Sequence, residues 1–290
     1  MKKILVPTDF SANARRAMHF ATRMVQANKD AHITFFHVSN EPIPTSFSKK
    51  DYQASMEEQL NSDVKRLQEF VLDMYRNMLV KDDEINEQAL VKYGKFDEAI
   101  VETVAELGID LVIMGTFGAS GLKKFFVGSN TADVMEKVPC AVLAIPDEYS
   151  NAPVTRIAYA TDFSKAEDGL EKIVSFAKYF HASIELFHVY SVGKGQTDPS
   201  TFDRQSYLSN LKRKFDYEHF TLAFVRLNEE GDDLIDGIES YVAQKRPSII
   251  AMATYEKMWY ESVFHPSKTK QMIFQTTCPL LVIKRIQQAE

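Results

Sequence analysis

Short apolar runs alternate with longer amphipathic stretches along the whole chain, and this alternation predicts βαβ units built on a parallel sheet. In the first half, strands are expected at about 3 to 7, 32 to 38, 86 to 92, 110 to 114 and 140 to 145, with helices between them. In the second half, strands are expected at about 155 to 160, 183 to 189, 220 to 227, 248 to 253 and 280 to 285. Helices there fall near 164 to 180, 201 to 216, 232 to 245 and 267 to 275. In the first helix Ser11 is placed to cap the N-terminus, and Ala14, Met18, Ala21 and Val25 recur at helical spacing to face the sheet. A long polar helix from about 52 to 79 carries Leu60, Val64, Leu67, Val71 and Met74 as an apolar stripe, which reads as core packing.

The two halves repeat one another. ILVPTDFS at 4 to 11 returns as IAYATDFS at 157 to 164, an offset of 153, and ITFFHVS returns as IELFHVY. Near the end of each half, DLVIMGT and VPCAVLAI return as SIIAMAT and TTCPLLVI at an offset of 138, so the second copy has lost 153 − 138 = 15 residues in between. Two domains follow, 1–146 and 154–290, joined by a polar, proline-bracketed linker from Pro146 to Pro153.

Composition narrows the class. The chain has 290 residues, 45% hydrophobic and 26% charged, enough for a core in each half, and no apolar run approaches a membrane span. The N-terminus enters a strand without a signal peptide, so a cytoplasmic location is expected. A net charge of −6 with scattered basic residues argues against a nucleic-acid partner. Cys140 and Cys278 occupy the same place in the two repeats, each beside a proline at the entry to an apolar strand, and read as buried structural thiols; neither a disulfide nor a metal site is suggested.

The candidate chemistry lies where the first copy keeps what the second has lost. Gly115-Thr-Phe-Gly118 is followed after nine residues by Gly128-Ser129. Gly115 and Gly118 supply a turn without side chains, letting backbone amides approach phosphate oxygens and adopt positive φ cheaply. Gly128, Ser129 and Asn130 open the next helix, whose free N–H groups and dipole favour an anion. The alternative is that these glycines only make a tight strand-to-helix connection. This is not a Walker motif, because no Gly-x4-Gly-Lys-Ser/Thr is present; Lys123 and Lys124 lie in the spacer, near enough to reach phosphate or simply solvated, and no catalytic base is named.

In the second copy Ala253, Glu256 and Pro266 replace Gly115, Gly118 and Gly128, and only Ser267 is left. A carboxylate beside phosphate costs about 4 kcal/mol per charge pair at ~4 Å and an effective dielectric near 20. Pro266 removes a donor, and Ala253 cannot take up positive φ as glycine does. Trp259, Tyr260 and Phe264 in the second spacer would fill the vacated space or form an apolar-ligand or partner surface; His265 alone is no metal site. GKGQTD at 193 to 198 lacks the helix-opening spacing of a phosphate loop and reads as a flexible loop.

The PTDFS opening, the HV pair ending the second strand, and Gly-x2-Gly-x9-Gly-Ser before a final helix and a PCxVLxI strand together resemble the universal stress protein family, over nearly the whole chain. The resemblance implies two tandem open-sheet, Rossmann-like α/β domains of strand order 3-2-1-4-5. It implies their association through the fifth strands, Val142 to Ile145 facing Leu281 to Lys284 across a pseudo-two-fold axis. It also implies an adenine nucleotide: Pro7, Thr8 and Asp9 bordering the adenosine, Val38 bonding the adenine edge through its backbone, and Met114 closing the base pocket. Gly115, Gly118, Gly128, Ser129 and Asn130 would hold ribose and phosphates. Asp9 has a plainer reading as a cap of the first helix.

The expected function is an ATP-binding sensor or interaction module, with AMP or ADP as other possible occupants and Mg2+ arriving with the nucleotide. The 39 to 51 loop would order on binding and present a surface to a protein partner; a homodimer is a further possibility. Alternatives are a slow ATPase or adenylate-transferring enzyme, and a nucleotide-free structural or apolar-ligand-binding module.

Overall fold

The computed structural model describes residues 1–40, 42, 47–80, 87–116, 129–163, 166–190, 201–227, 234–255 and 278–285. The chain divides into two compact units with the boundary between Asp147 and Glu148.

In the first unit five strands, β1 (Lys3–Pro7), β2 (His32–Ser39), β3 (Glu87–Tyr93), β4 (Leu111–Gly115) and β5 (Ala141–Ile145), alternate with α1 (Ala12–Gln26), α2 (Lys49–Met78), α3 (Phe96–Leu107) and α4 (Ser129–Lys137). The strands are parallel in the order β3-β2-β1-β4-β5. Central strands of such a sheet are covered on both faces, which is why their sequences read as continuous apolar runs. Ile4, Leu5, Val6, Leu111, Val112 and Ile113 are fully buried, whereas the edge strand β3 is exposed to half-buried throughout.

The second unit repeats the plan with β6 (Arg156–Ala160), β7 (Ser183–Tyr190), β8 (Phe220–Arg226), β9 (Ile249–Tyr255) and β10 (Leu280–Arg285). Its helices are α5 (Glu167–Lys178), α6 (Arg204–Phe215) and α7 (Leu234–Lys245). The order β8-β7-β6-β9-β10, all parallel, is the same 3-2-1-4-5 arrangement. The helix expected near 267 to 275 lies outside the described residues.

Local signals place the ends of the elements. Ser11 Oγ accepts from the Ala14 N–H at 3.1 Å, and Ala14, Met18, Ala21 and Val25 are buried, as the helical spacing predicts. The long helix departs from expectation in two ways. It begins at Lys49, where Ser48 Oγ accepts from the Asp51 N–H at 3.2 Å, so the last residues assigned to the preceding loop are helical. Of its stripe only Leu67, Val71 and Met74 are buried, joined by Asp63 and Tyr75; Leu60 and Val64 are half-buried. Among the described residues no helix is long and apolar enough to cross a membrane.

The C-terminus of α2 closes on Leu79, whose backbone is left-handed at φ 56°, while the Val80 N–H returns to the Tyr75 carbonyl at 3.1 Å. Glycine is the residue this position favours, since a Cβ costs about 1 kcal/mol there. Leu79 is 89% exposed, so its side chain contributes little packing in return. Leu79→Gly is therefore expected to stabilise the protein by about 0.5 to 1 kcal/mol, read as a higher denaturation midpoint in urea. An unchanged or lower midpoint would contradict this account of the cap.

Candidate functional site

The site is built outward from the turn that follows β1. Pro7 ends the strand, and the buried Thr8 donates its N–H to the Phe36 carbonyl at 2.8 Å. Thr8 Oγ1 accepts from the Phe10 N–H, and Asp9 Oδ1 accepts from the Ser11 N–H, both at 3.0 Å. These bonds hold Phe10 at φ 64°, an uncommon conformation for an aromatic residue. Asp9 thus fastens the turn just before the helix through one oxygen, while the helix itself is capped by Ser11.

Two residues that motif reasoning passed over complete the turn. His37 donates its Nδ1–H to the Thr8 carbonyl at 2.8 Å, a bond that also sets the imidazole tautomer. The Phe10 ring packs against His37 at 4.5 Å and against Phe70 of α2 at 5.4 Å, with the Arg66 guanidinium 4.0 Å above it. Arg15 stacks on Phe70 at 4.3 Å and pairs with Asp73 at 2.6 Å. The signal for both was present in the repeat itself. In the second unit Phe163 has φ 66°, its N–H meets Thr161 Oγ1 at 3.1 Å, and His188 Nδ1–H reaches the Thr161 carbonyl at 3.0 Å.

Across the sheet from this turn, β4 ends at Gly115. Met114 is buried beside Ala144, and Gly115 lies opposite Ile145, whose carbonyl takes the Thr116 N–H at 3.0 Å. Thr131, in the first turn of α4, donates its hydroxyl to the Gly115 carbonyl at 3.0 Å and so ties that helix start to the strand end. The expected reason for glycine here needs correction. Gly115 is not in the left-handed region; a Cβ on it would lie 2.8 Å from Asn13 Cγ and 3.1 Å from the Asn13 backbone carbon, so a close approach of α1 excludes a side chain.

β1 pairs with β2 on one side and β4 with β5 on the other, and β1 and β4 pair with each other. Thr8 and Gly115 therefore leave a common sheet edge at the point where the connections diverge, the position at which open α/β sheets hold ligands. Val38 is buried at the end of β2, opposite Lys92, next to the histidine that bonds Thr8. Ser129 is the first residue of α4 and Asn130 is exposed beside it. Gly118 and Gly128 lie outside the described residues, as do Lys123 and Lys124. Two hydroxyls at this edge, Ser39 Oγ and Thr116 Oγ1, are buried without a hydrogen-bond partner. Such groups are costly, and they suit an edge that receives a polar ligand.

At the equivalent edge of the second unit Ala253 stands where the first has glycine. Its methyl is accommodated by a glycine in the facing helix: a Cβ on Gly169 would lie 2.9 Å from Ala253 Cβ and 3.0 Å from the Tyr159 hydroxyl. Tyr159 is fully buried and donates to the Ala166 carbonyl at 3.3 Å. Around Phe163 the rings of Phe202, Phe224 and Tyr207 stand at 4.9, 5.4 and 5.6 Å. The residues 193 to 198, and Glu256, Trp259, Tyr260, Phe264, His265, Pro266 and Ser267, lie outside the described residues.

Both cysteines are free and buried; Cys278 donates to the Pro247 carbonyl at 3.2 Å, and burial pushes its thiol up to about 12. These are structural thiols. No cluster of metal-ligating side chains occurs among the described residues.

The profile of the universal stress protein family matches residues 1–146, and the chain belongs to that family. It is similar to a universal stress protein of Thermus aquaticus, 28% identical over 144 residues, covering 50% of this chain and 98% of that one. Its fold is similar to the crystal structure of a universal stress protein from Archaeoglobus fulgidus, at 18% identity and a TM-score of 0.66, covering 98% of each chain. A family member from Arabidopsis thaliana, 19% identical over 52% of this chain and 97% of that one with a TM-score of 0.35, is solved with AMP bound.

The contact between Gly169 and Ala253 makes a prediction about the second unit. Gly169→Ala is expected to destabilise the protein by about 1 to 3 kcal/mol through overpacking, and Ala253→Gly in the same chain to recover part of that loss, the contact with the Tyr159 hydroxyl remaining. Additive losses in the double variant, measured by urea unfolding, would mean that the two positions do not compensate.

Proposed function

We propose that this universal stress protein binds an adenine nucleotide, ATP in the first instance, at the C-terminal sheet edge of its first unit, and acts as a sensor or interaction module. The observation that carries the reading is the convergence of the Thr8–Asp9 turn, Gly115 and the start of α4 on one edge, with the buried hydroxyls of Ser39 and Thr116 lacking partners there. Pro7, Thr8, Asp9, Val38 and Met114 would border the nucleoside. Gly115, Gly118, Gly128, Ser129 and Asn130 would take ribose and phosphates, with backbone N–H groups and the α4 dipole supplying the positive potential. Mg2+ would arrive on the phosphates. The second unit, with Ala253 in the strand and aromatic rings around Phe163, is assigned no nucleotide.

The same geometry supports the sensor reading. The Phe10 ring joins the nucleotide turn to Phe70 and Arg66 of α2, so a ligand that fixes the turn also fixes the helix.

At 100 times its dissociation constant ATP should stabilise the native state by about 2.7 kcal/mol, seen as a thermal shift, and nucleotide should be found by mass spectrometry in the purified protein. Gly128→Asp, which sets a carboxylate in the phosphate loop, should abolish both effects while the ligand-free melting temperature is kept. A titration without heat or thermal shift would leave a nucleotide-free module as the better description. Phosphate release that disappears in Gly128→Asp would move the protein into the enzyme class.

A further inference from the structure

The second unit lacks the glycines of the first, yet the end of its sheet is not closed. Thr161, Val189, Met252 and Ala253 are half-buried, whereas Thr8, Val38, Met114 and Gly115, at the same places in the first unit, are buried.

Alternate residues of a strand direct their N–H and C=O to opposite neighbours. Tyr190 bonds toward β8, its carbonyl taking the Leu227 N–H at 2.9 Å, and Phe187 bonds toward β6, its carbonyl taking the Thr161 N–H at 3.0 Å. Val189 therefore faces the side that β6 has just left, since the ladder between these strands ends at Ala160 and Phe187. A continued ladder would give Val189 the Thr161 carbonyl and the Phe163 N–H. The turn diverts both: His188 Nδ1–H takes the carbonyl at 3.0 Å, and Thr161 Oγ1 takes the N–H at 3.1 Å. Among the described residues the Val189 N–H and C=O are thus left without partners at the open edge.

The surroundings are flat and apolar. Phe163, His188 and Tyr190 stand with their ring centroids 5.4, 6.4 and 6.5 Å from that of Phe224. On the other face of β7, Val189 packs on Gly237 of α7, where a Cβ would collide with the valine methyl. The Tyr207 hydroxyl, whose ring lies 5.6 Å from Phe163, is also buried without a hydrogen-bond partner.

We propose that the second unit binds a neutral nucleobase or nucleoside at this edge, held by the Val189 backbone. One residue supplies both a donor and an acceptor, so the ligand carries the complementary pair on neighbouring positions of one planar ring, as the Watson–Crick edge of a base does. Aromatic neighbours favour such a flat π system. Phosphate is selected against: Ala253 adds a methyl at the strand end, and in the sequence Glu256 and Pro266 stand where the first unit has Gly118 and Gly128.

Calorimetric titration of the full chain with adenosine, and separately with guanosine, tests this. Val38→Pro removes the corresponding N–H of the first unit, so heat that remains in that chain reports the second. One nucleoside per chain is expected there, bound at least about tenfold more weakly once Val189→Pro is added. Proline suits the position because the N–H it deletes serves no ladder, and a melting temperature near that of the parent confirms the fold. The analogues 6-dimethylaminopurine riboside and 1-methylguanosine, which lack the ring-edge donor, should not compete; this arm needs no substitution in the second unit. Absence of heat with both nucleosides in Val38→Pro overturns the proposal. So does binding that ignores Val189→Pro or accepts the methylated analogues equally, which would put the ligand elsewhere. ATP bound as tightly as the nucleoside would overturn the neutral class. Because the first unit's N–H is absent from the measurement, the outcome is independent of the reading of the first crevice.

Discussion

A hydrogen bond from His37 to the Thr8 carbonyl sets the direction in which the chain leaves the central strand of the first unit. Strand β1 is flanked on both sides, so its end has no free edge on which to relax. The turn must reverse the chain into α1 within a few residues, and it does so by placing Phe10 in the left-handed region. That conformation costs on the order of 1 kcal/mol and persists only where neighbours over-determine it. Here the neighbours are a threonine hydroxyl, an aspartate carboxylate, an imidazole and a stacked arginine. The same residues that fasten the turn also line the sheet edge at which Gly115 and the start of α4 arrive. The contacts that make the turn rigid thus also shape that edge.

The second unit separates those two roles. Its Thr161, Phe163 and His188 reproduce the turn with nearly the same dihedral angle and bond lengths, though its strand end carries Ala253 in place of glycine. What is retained in both copies is what the fold needs to leave its central strand. What differs lies on both sides of that turn: at the end of the neighbouring strand, where Ala253 replaces glycine, and in the rings packed on the turn's phenylalanine. Phe163 packs against the rings of Phe202, Tyr207 and Phe224, whereas Phe10 packs against Phe70 and Arg66 of α2.

The strands were legible in the pattern of apolar runs, because parallel strands buried on both faces read as continuous apolar stretches, whereas their order came only with the family resemblance. The duplicated TDFS and HV strings marked the turn, yet the bond between Thr8 and His37 joins residues 29 apart, and only pairing of β1 with β2 brings them together. The need for glycine at 115 was legible, but the expected reason, a positive φ, was not the one the structure gives. A sequence shows that a Cβ is missing, and both a positive φ and a close neighbour can require that; the neighbour is Asn13, on another element. The α2 stripe misled for a related cause. Periodicity reports that a face is apolar and is silent on whether the sheet extends far enough to cover it, so Leu60 and Val64 could not be told apart from Leu67 and Val71.

The glycine that faces Ala253 makes the packing of the second unit depend on a pair of positions. In the first unit a helix side chain, Asn13, faces a glycine in the strand; in the second a strand alanine, Ala253, faces a glycine in the helix, Gly169. Restoring glycine at 253 alone would leave two bare backbones facing one another and a void between them. Restoring a side chain at 169 alone would force it into the alanine. A change at either position alone is therefore unfavourable, and packing couples the two.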